Sequence, residues 1–310
     1  MDQPKNIENF RKINMKNTYK KIALIVGVLS LSAGFYQFTT VKTTDMESSF
    51  YIKNADFCGE RVPLEIVDVK ERFDREMVVN VNLHSATSLI IKRANRYFSD
   101  IEPILKRNGI PNDFKYLCVI ESALTNATSS AGAKGFWQFM PETAKEYNLE
   151  VSSTVDERYD VIKATEAACV YLKRAHAKFG NWTLVAAAYN RGMAGVERQQ
   201  IAQGVTDYYD LFLNEETSRY VFRILALKEI MTNADKYGYV FSKDELYYPI
   251  KTKTIQVNTN INDLQKWALE QGINFKILKL HNPWLIDTSL IVQPNKTYNI
   301  QIPTEGFKRK

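Results

Sequence analysis

Cysteine and histidine are both scarce, with three of each in 310 residues. Cys58, Cys118 and Cys169 cannot all pair within one chain, and their spacing fits neither a zinc knuckle nor a disulfide framework. Cys118 and Cys169 read as core packing. His84, His176 and His281 lie far apart with no HExxH or similar pair, so neither a metal nor a cofactor is expected. With 13 glycines and 9 prolines the chain is not of a fibrous or disordered type. Low-complexity tracts and long internal repeats are missing too. The net charge of +6 would suit an anionic partner. Yet the folded part has no dense Lys/Arg patch and no nucleic-acid-binding motif, so the charge reads as a solvated basic surface and nucleic acid is excluded. What remains, 45% hydrophobic and 25% charged residues, suffices for two globular units.

One long apolar run is present. Residues 22–38 (IALIVGVLSLSAGFYQF) carry no charge and follow Arg11, Lys12, Lys16, Lys20 and Lys21. About 17 residues is the lower limit for a spanning helix, and positive charge on its N-terminal side predicts a cytoplasmic tail with the remainder exported. A cleaved signal peptide is the competing reading. The chain therefore divides into a tail (1–21), an anchor or signal segment (22–38), a polar linker (39–58), a helical unit (59–245) and a C-terminal unit (246–310). Between Val62 and Tyr239 apolar residues recur at three and four, the period of helices. After Tyr247-Tyr248-Pro249 the order becomes strand (Thr254–Val257), helix (261–271), helix (275–281), strand (298–302).

Within the helical unit one carboxylate is out of place. The segment from Pro111 to Leu124 begins with a turn and with Asp113, a residue suited to capping a helix. Glu121 then follows Phe114 by seven, Leu117 by four and Cys118 by three, with Leu124 one turn further on, so it lies on an apolar stripe. The opposite face is hardly polar. A carboxylate in such a helix finds a partner or keeps its proton with a raised pKa, and a carboxyl protonated near neutral pH is what a general acid requires. Two further segments stand out. The small-residue loop Ser129–Gly135 leads into Phe136-Trp137-Gln138 and presents an aromatic and an amide together, a subsite for a sugar or, for Trp137, simply core. The apolar helix from Trp182 ends in Tyr189-Asn190 ahead of Gly192, where Asn190 is either functional or a helix terminator.

Taken in order, these residues resemble the lytic transglycosylases with the goose-type lysozyme fold, in particular their membrane-bound D-type branch. Glu121-Ser122 matches the catalytic Glu-Ser pair and Gly135-Phe136-Trp137-Gln138 the Gly-apolar-aromatic-Gln loop. Ala188-Tyr189-Asn190 matches the Ala-Tyr-Asn motif, and Glu216-Thr217-Ser218-Arg219-Tyr220 the Glu-Thr-x-x-Tyr segment. Further likeness runs through 155–160 and 165–172. Residues 253–303, with Asn282-Pro283 and Tyr298–Pro303, resemble a LysM module, which either binds glycan or only packs on the enzyme. The resemblance implies a mainly α fold, a lysozyme-like helical domain with a small βααβ LysM-like unit. It implies a substrate, the glycan strands of peptidoglycan, and a place in the cell envelope with the catalytic domain on the periplasmic or exported side. It also implies roles: Glu121 as acid and then base, Ser122 and Gln138 holding the sugar, Tyr189 and Asn190 lining the cleft, and Tyr220 orienting Glu121. Arg191 and Phe222 depart from the family pattern. The alternatives are a water-using muramidase of the same fold and a catalytically idle peptidoglycan binder.

Overall fold

The computed structural model describes residues 52–307. The tail, the apolar run 22–38 and most of the linker lie outside the described residues, among which no helix is long and apolar enough to cross a membrane. The described part begins with a two-stranded ribbon, β1 (Asp56–Phe57) and β2 (Glu60–Arg61). It continues with helices α1 (Val67–Asn82), α2 (His84–Arg107), α3 (Phe114–Ser122), α4 (Pro141–Glu146), α5 (Val161–Phe179), α6 (Trp182–Arg191), α7 (Met193–Gln203) and α8 (Glu215–Thr232). It closes with β3 (Thr252–Val257), α9 (Leu264–Glu270), α10 (Phe275–His281) and β4 (Tyr298–Pro303). The protein is thus mainly helical, with a small βααβ unit at its end.

Helix α8 is the axis. It packs against α1, α3 and α6, and its buried side chains, among them Tyr220, Val221, Phe222, Ile224 and Leu225, recur on more than one face, as expected of a helix surrounded by others. Helix α5 is rich in alanine on its buried side (Ala164, Ala167, Ala168, Ala175), which allows close approach to α2 and α6. Its ends are sealed in the ordinary way. The Asp160 carboxylate accepts from the amides of Ile162 and Lys163, and Gly180 takes a left-handed φ of 66° at the other end. One hydrophobic core runs from Phe57 to Tyr239. A second is built by the C-terminal unit, whose strands β3 and β4 pair antiparallel from Thr252↔Pro303 to Val257↔Tyr298.

Three local expectations are corrected. The linker does not run to Cys58: Phe57 is fully buried and stacks edge-on against Phe114. Nor does Asp113 cap α3 with its side chain. Its carboxylate accepts instead from the Cys58 amide at 2.8 Å and from Lys228 Nζ at 2.7 Å, the latter a charge-assisted bond. Finally, α3 does not continue to Leu124. Ala123 and Leu124 adopt φ values of 50° and 55°, so the helix stops immediately after Glu121 and Ser122.

Candidate active site

Glu121 sits in the last turn of α3, whose residues Phe114, Leu117 and Cys118 are fully buried. The apolar stripe read from the sequence is therefore real, and it carries the carboxylate into a half-buried position. Two consecutive left-handed residues without glycine, at Ala123 and Leu124, cost of order 1–3 kcal/mol each. That strain ends the helix at the carboxylate. Arg93 stabilises the turn by donating to the Ala123 carbonyl at 3.2 Å. Burial raises the Glu121 carboxyl from 4.5 to about 7, with the Glu216 charge adding to the rise, while the Tyr220 hydrogen bond and the Arg223 charge oppose it. The C-terminal end of a helix also disfavours the ionised form.

Tyr220, buried on α8, donates its hydroxyl hydrogen bond to Glu121 Oε1. Tyr189, on α6, donates to the Trp137 carbonyl at 2.7 Å and packs edge-on against Tyr171 and Phe139. Asn190 lies one residue before the end of α6; its Nδ2 donates to Glu216 Oε1 at 3.1 Å, and its Oδ1 accepts from Thr217 Oγ1 at 2.7 Å. Helix α6 is itself set by Glu60, whose carboxylate accepts from the Trp182 and Thr183 amides at 2.6 and 2.9 Å, an anion at a helix N-terminus. Gln138 has a φ of 48°, and its Nε2 donates to the carbonyls of Ala127 and Gly135 at 3.1 and 2.7 Å. Cys118 Sγ, at 3.4 Å from the Phe136 carbonyl, ties α3 to the same loop.

Glu121 and Tyr220 are thus bonded directly, Tyr189 is bonded to the loop that carries Gln138, and Asn190 is bonded to α8, the helix of Tyr220. Two residues fall elsewhere. Ser122 is buried and turns its hydroxyl onto the Cys118 carbonyl of its own helix. Trp137 is fully buried, with its indole donating to Thr165 Oγ1 at 2.8 Å, so it is core and not a sugar platform. Sequence reading missed Glu216 and Arg223 as charges acting on Glu121. A signal existed: Glu216, Tyr220 and Arg223 follow one another at four and three along α8 and share a face. Of the two departures from the family pattern, Phe222 packs fully buried against Tyr208 and Tyr209 under the Arg72 guanidinium. Arg191 donates to Asn214 Oδ1 at 2.7 Å, at the start of α8.

Residues 101–212 match the Transglycosylase SLT domain, and residues 253–306 match the Soluble lytic transglycosylase C-terminal LysM-like domain. This chain carries an SLT transglycosylase domain followed by a LysM-like domain. Among curated proteins it is 32% identical over 191 residues to the membrane-bound lytic murein transglycosylase D of Escherichia coli, covering 59% of this chain and 41% of that protein. It is 33% identical over 108 residues to a putative tributyltin chloride resistance protein of an Alteromonas strain, covering 34% of this chain and 52% of that one. The chain thus spans between two fifths and about half of the length of these relatives. A solved structure of the lytic transglycosylase Slt from Pseudomonas aeruginosa, an inactive mutant, aligns with 49% of this chain and 26% of its own, at 22% identity and a TM-score of 0.35.

Proposed function

We propose that this protein is a peptidoglycan lytic transglycosylase that cuts the β-1,4 bond between N-acetylmuramic acid and N-acetylglucosamine. The observation that carries the reading is the half-buried Glu121 carboxyl, raised to about 7 and held by Tyr220. At neutral pH much of it is protonated, so it can protonate the bridging oxygen as the C1–O bond breaks. The glutamate, now ionised, takes the proton from the C6 hydroxyl of the same muramic residue, whose oxygen closes on C1. The result is a 1,6-anhydro ring, with the proton back on Glu121 and no water consumed. Gln138, Tyr189 and Asn190 would line the sugar's path. Residues 22–38, outside the described part, would hold the enzyme at the membrane with its catalytic domain on the exported side.

A hydrolase of this type needs a second carboxylate about 5–5.5 Å from the acid to retain configuration, or about 6.5–9.5 Å away to invert it. Glu216 is a carboxylate whose charge reaches Glu121, but its Oε1 is occupied by Asn190. Mass spectrometry of digested sacculi separates the two chemistries. Anhydromuramic ends, lighter by one water than reducing ends, are expected; a product set of reducing ends alone would turn the assignment to hydrolysis through Glu216.

The raised carboxyl also sets the pH response. The acid must be protonated in the free enzyme, so log kcat/KM should fall as pH rises through about 7. In Tyr220→Phe the hydrogen bond that favours the ionised form is gone, and the break should move to higher pH. A profile flat to pH 9 in the parent protein would remove Glu121 as the titrating acid.

A further inference from the structure

The seam between the LysM-like unit and the helical body is built unlike a loose tether. Val155, from the segment before α5, is fully buried, bridges to Leu285 and belongs to the same core cluster as Tyr298 and Ile300. Backbone bonds flank it: the Asp156 amide donates to the Trp284 carbonyl at 2.8 Å, and the Ile286 amide to the Thr154 carbonyl at 3.0 Å. Glu150 Oε2 accepts from both Lys296 Nζ and Tyr298 OH at 2.7 Å.

The same segment reaches the active-site loop from its other side. Asp156 and Arg158, 1% and 3% exposed, form a two-pronged ion pair, Nε to Oδ1 and Nη2 to Oδ2, both at 2.8 Å. Burial pushes the Asp156 carboxyl up, but the Arg158 and Lys134 contacts outweigh it and hold it below its ordinary value. The remaining prong, Arg158 Nη1, donates to the carbonyls of Gly132 and Phe139 at 3.0 and 3.1 Å. Those two carbonyls lie on either side of Gln138 in the loop whose turn Gln138 closes through the Gly135 carbonyl. A continuous path of bonds therefore runs from Trp284 through Asp156 and Arg158 to the loop carrying Gln138.

We propose that the LysM-like unit is a brace for this loop, with Asp156 and Arg158 as positioning residues that hold Gln138 in its left-handed conformation for turnover. The proposal rests on the glycan-cleaving reading above. A unit that only tethers glycan needs no buried ion pair aimed at a catalytic loop. Its natural seam would be a solvated linker rather than a shared core.

The full-length chain tests it with Arg158→Lys, which keeps the charge and loses the fork, and with Glu150→Ala, which removes the acceptor of Lys296 and Tyr298 at the seam. Turnover is measured on a short soluble glycan fragment and on long strands, and hydrogen exchange is followed over residues 127–139. In Arg158→Lys, kcat on the short fragment should fall on the order of tenfold or more with KM little changed, since small misplacements of a site cost turnover. Exchange in 127–139 should speed up. Glu150→Ala should move both readouts in the same direction, less far. Unchanged kcat with unchanged exchange overturns the brace, and so does a rise in KM confined to long strands, which is the mark of a tether. Should the unmodified protein fail to cleave the fragment, the transglycosylase reading falls, and the exchange of 127–139 still decides the brace.

Discussion

Glu121→Gln should lower glycan cleavage by about a hundredfold to ten-thousandfold, the range that general acid and base catalysis contributes, while the protein folds as before. Glutamine keeps the shape and the oxygen that accepts from Tyr220, but it has no proton to give. The same variant should be more stable than the parent above neutral pH. The folded carboxyl titrates at about 7 against an ordinary 4.5, so the folded state holds the proton more tightly than the unfolded chain does. The stability that this one group contributes is therefore greatest below pH 4.5, declines as pH rises, and stays low above 7. The gap corresponds to on the order of 3 kcal/mol at most, less whatever solvent recovers at a half-buried group. Thermal melts of both proteins at pH 4 and pH 8 would show the curves converging in acid and separating in base. Undiminished cleavage by the variant would falsify Glu121 as the acid, whereas an inactive parent would point to a peptidoglycan binder.

Gain of stability on loss of the acid is what a functional burial looks like, since an ionisable group walled in for chemistry is held at the expense of the fold. That signature was legible in the sequence because helical periodicity is a local property: positions 114, 117, 118 and 121 share a face whatever the remainder of the chain does. The βααβ order was legible for the same reason, as a change of period after Pro249. What escaped depends on distant partners. Asp113 has the composition and place of a cap, and only the arrival of Lys228 at 2.7 Å shows why it is used otherwise. Trp137 follows a small-residue loop and lies in no periodic segment that would mark it as core, and Thr165, its indole's partner, is 28 positions away. The stop after Ser122 was invisible because alanine and leucine do not announce a left-handed φ. Asp156 and Arg158 looked like part of a matching stretch, but their two-sided role needs both the loop at 132–139 and the C-terminal unit in place.

Gly135→Ala should be among the most damaging single substitutions in the loop, and its cost comes from backbone and not from side chains. Gly135 has a φ of 77°, where a Cβ costs roughly 1–2 kcal/mol. In addition, a Cβ there would stand 1.8 Å from the Arg158 carbonyl oxygen and 2.7 Å from its carbon. A long side chain could swing away from such a clash. The Arg158 backbone cannot, because its own side chain is locked to Asp156 and to the Gly132 and Phe139 carbonyls. Overpacking adds typically 1–3 kcal/mol, so a total of about 2–5 kcal/mol is expected, equivalent to roughly 4–20 °C in Tm at this size. The alternative to unfolding is that the loop shifts, and the Gly135 carbonyl then leaves Gln138 Nε2, so activity should be lost even at temperatures where the variant is folded. Gly204→Ala is the matched control. Gly204 has a φ of 69° with nothing within 4 Å of the added atom, so only the conformational cost applies. Equal shifts in Tm for the two variants would mean that Gly135 is not pressed against Arg158, and the tie between the loop and the segment joining the two units would be lost with it.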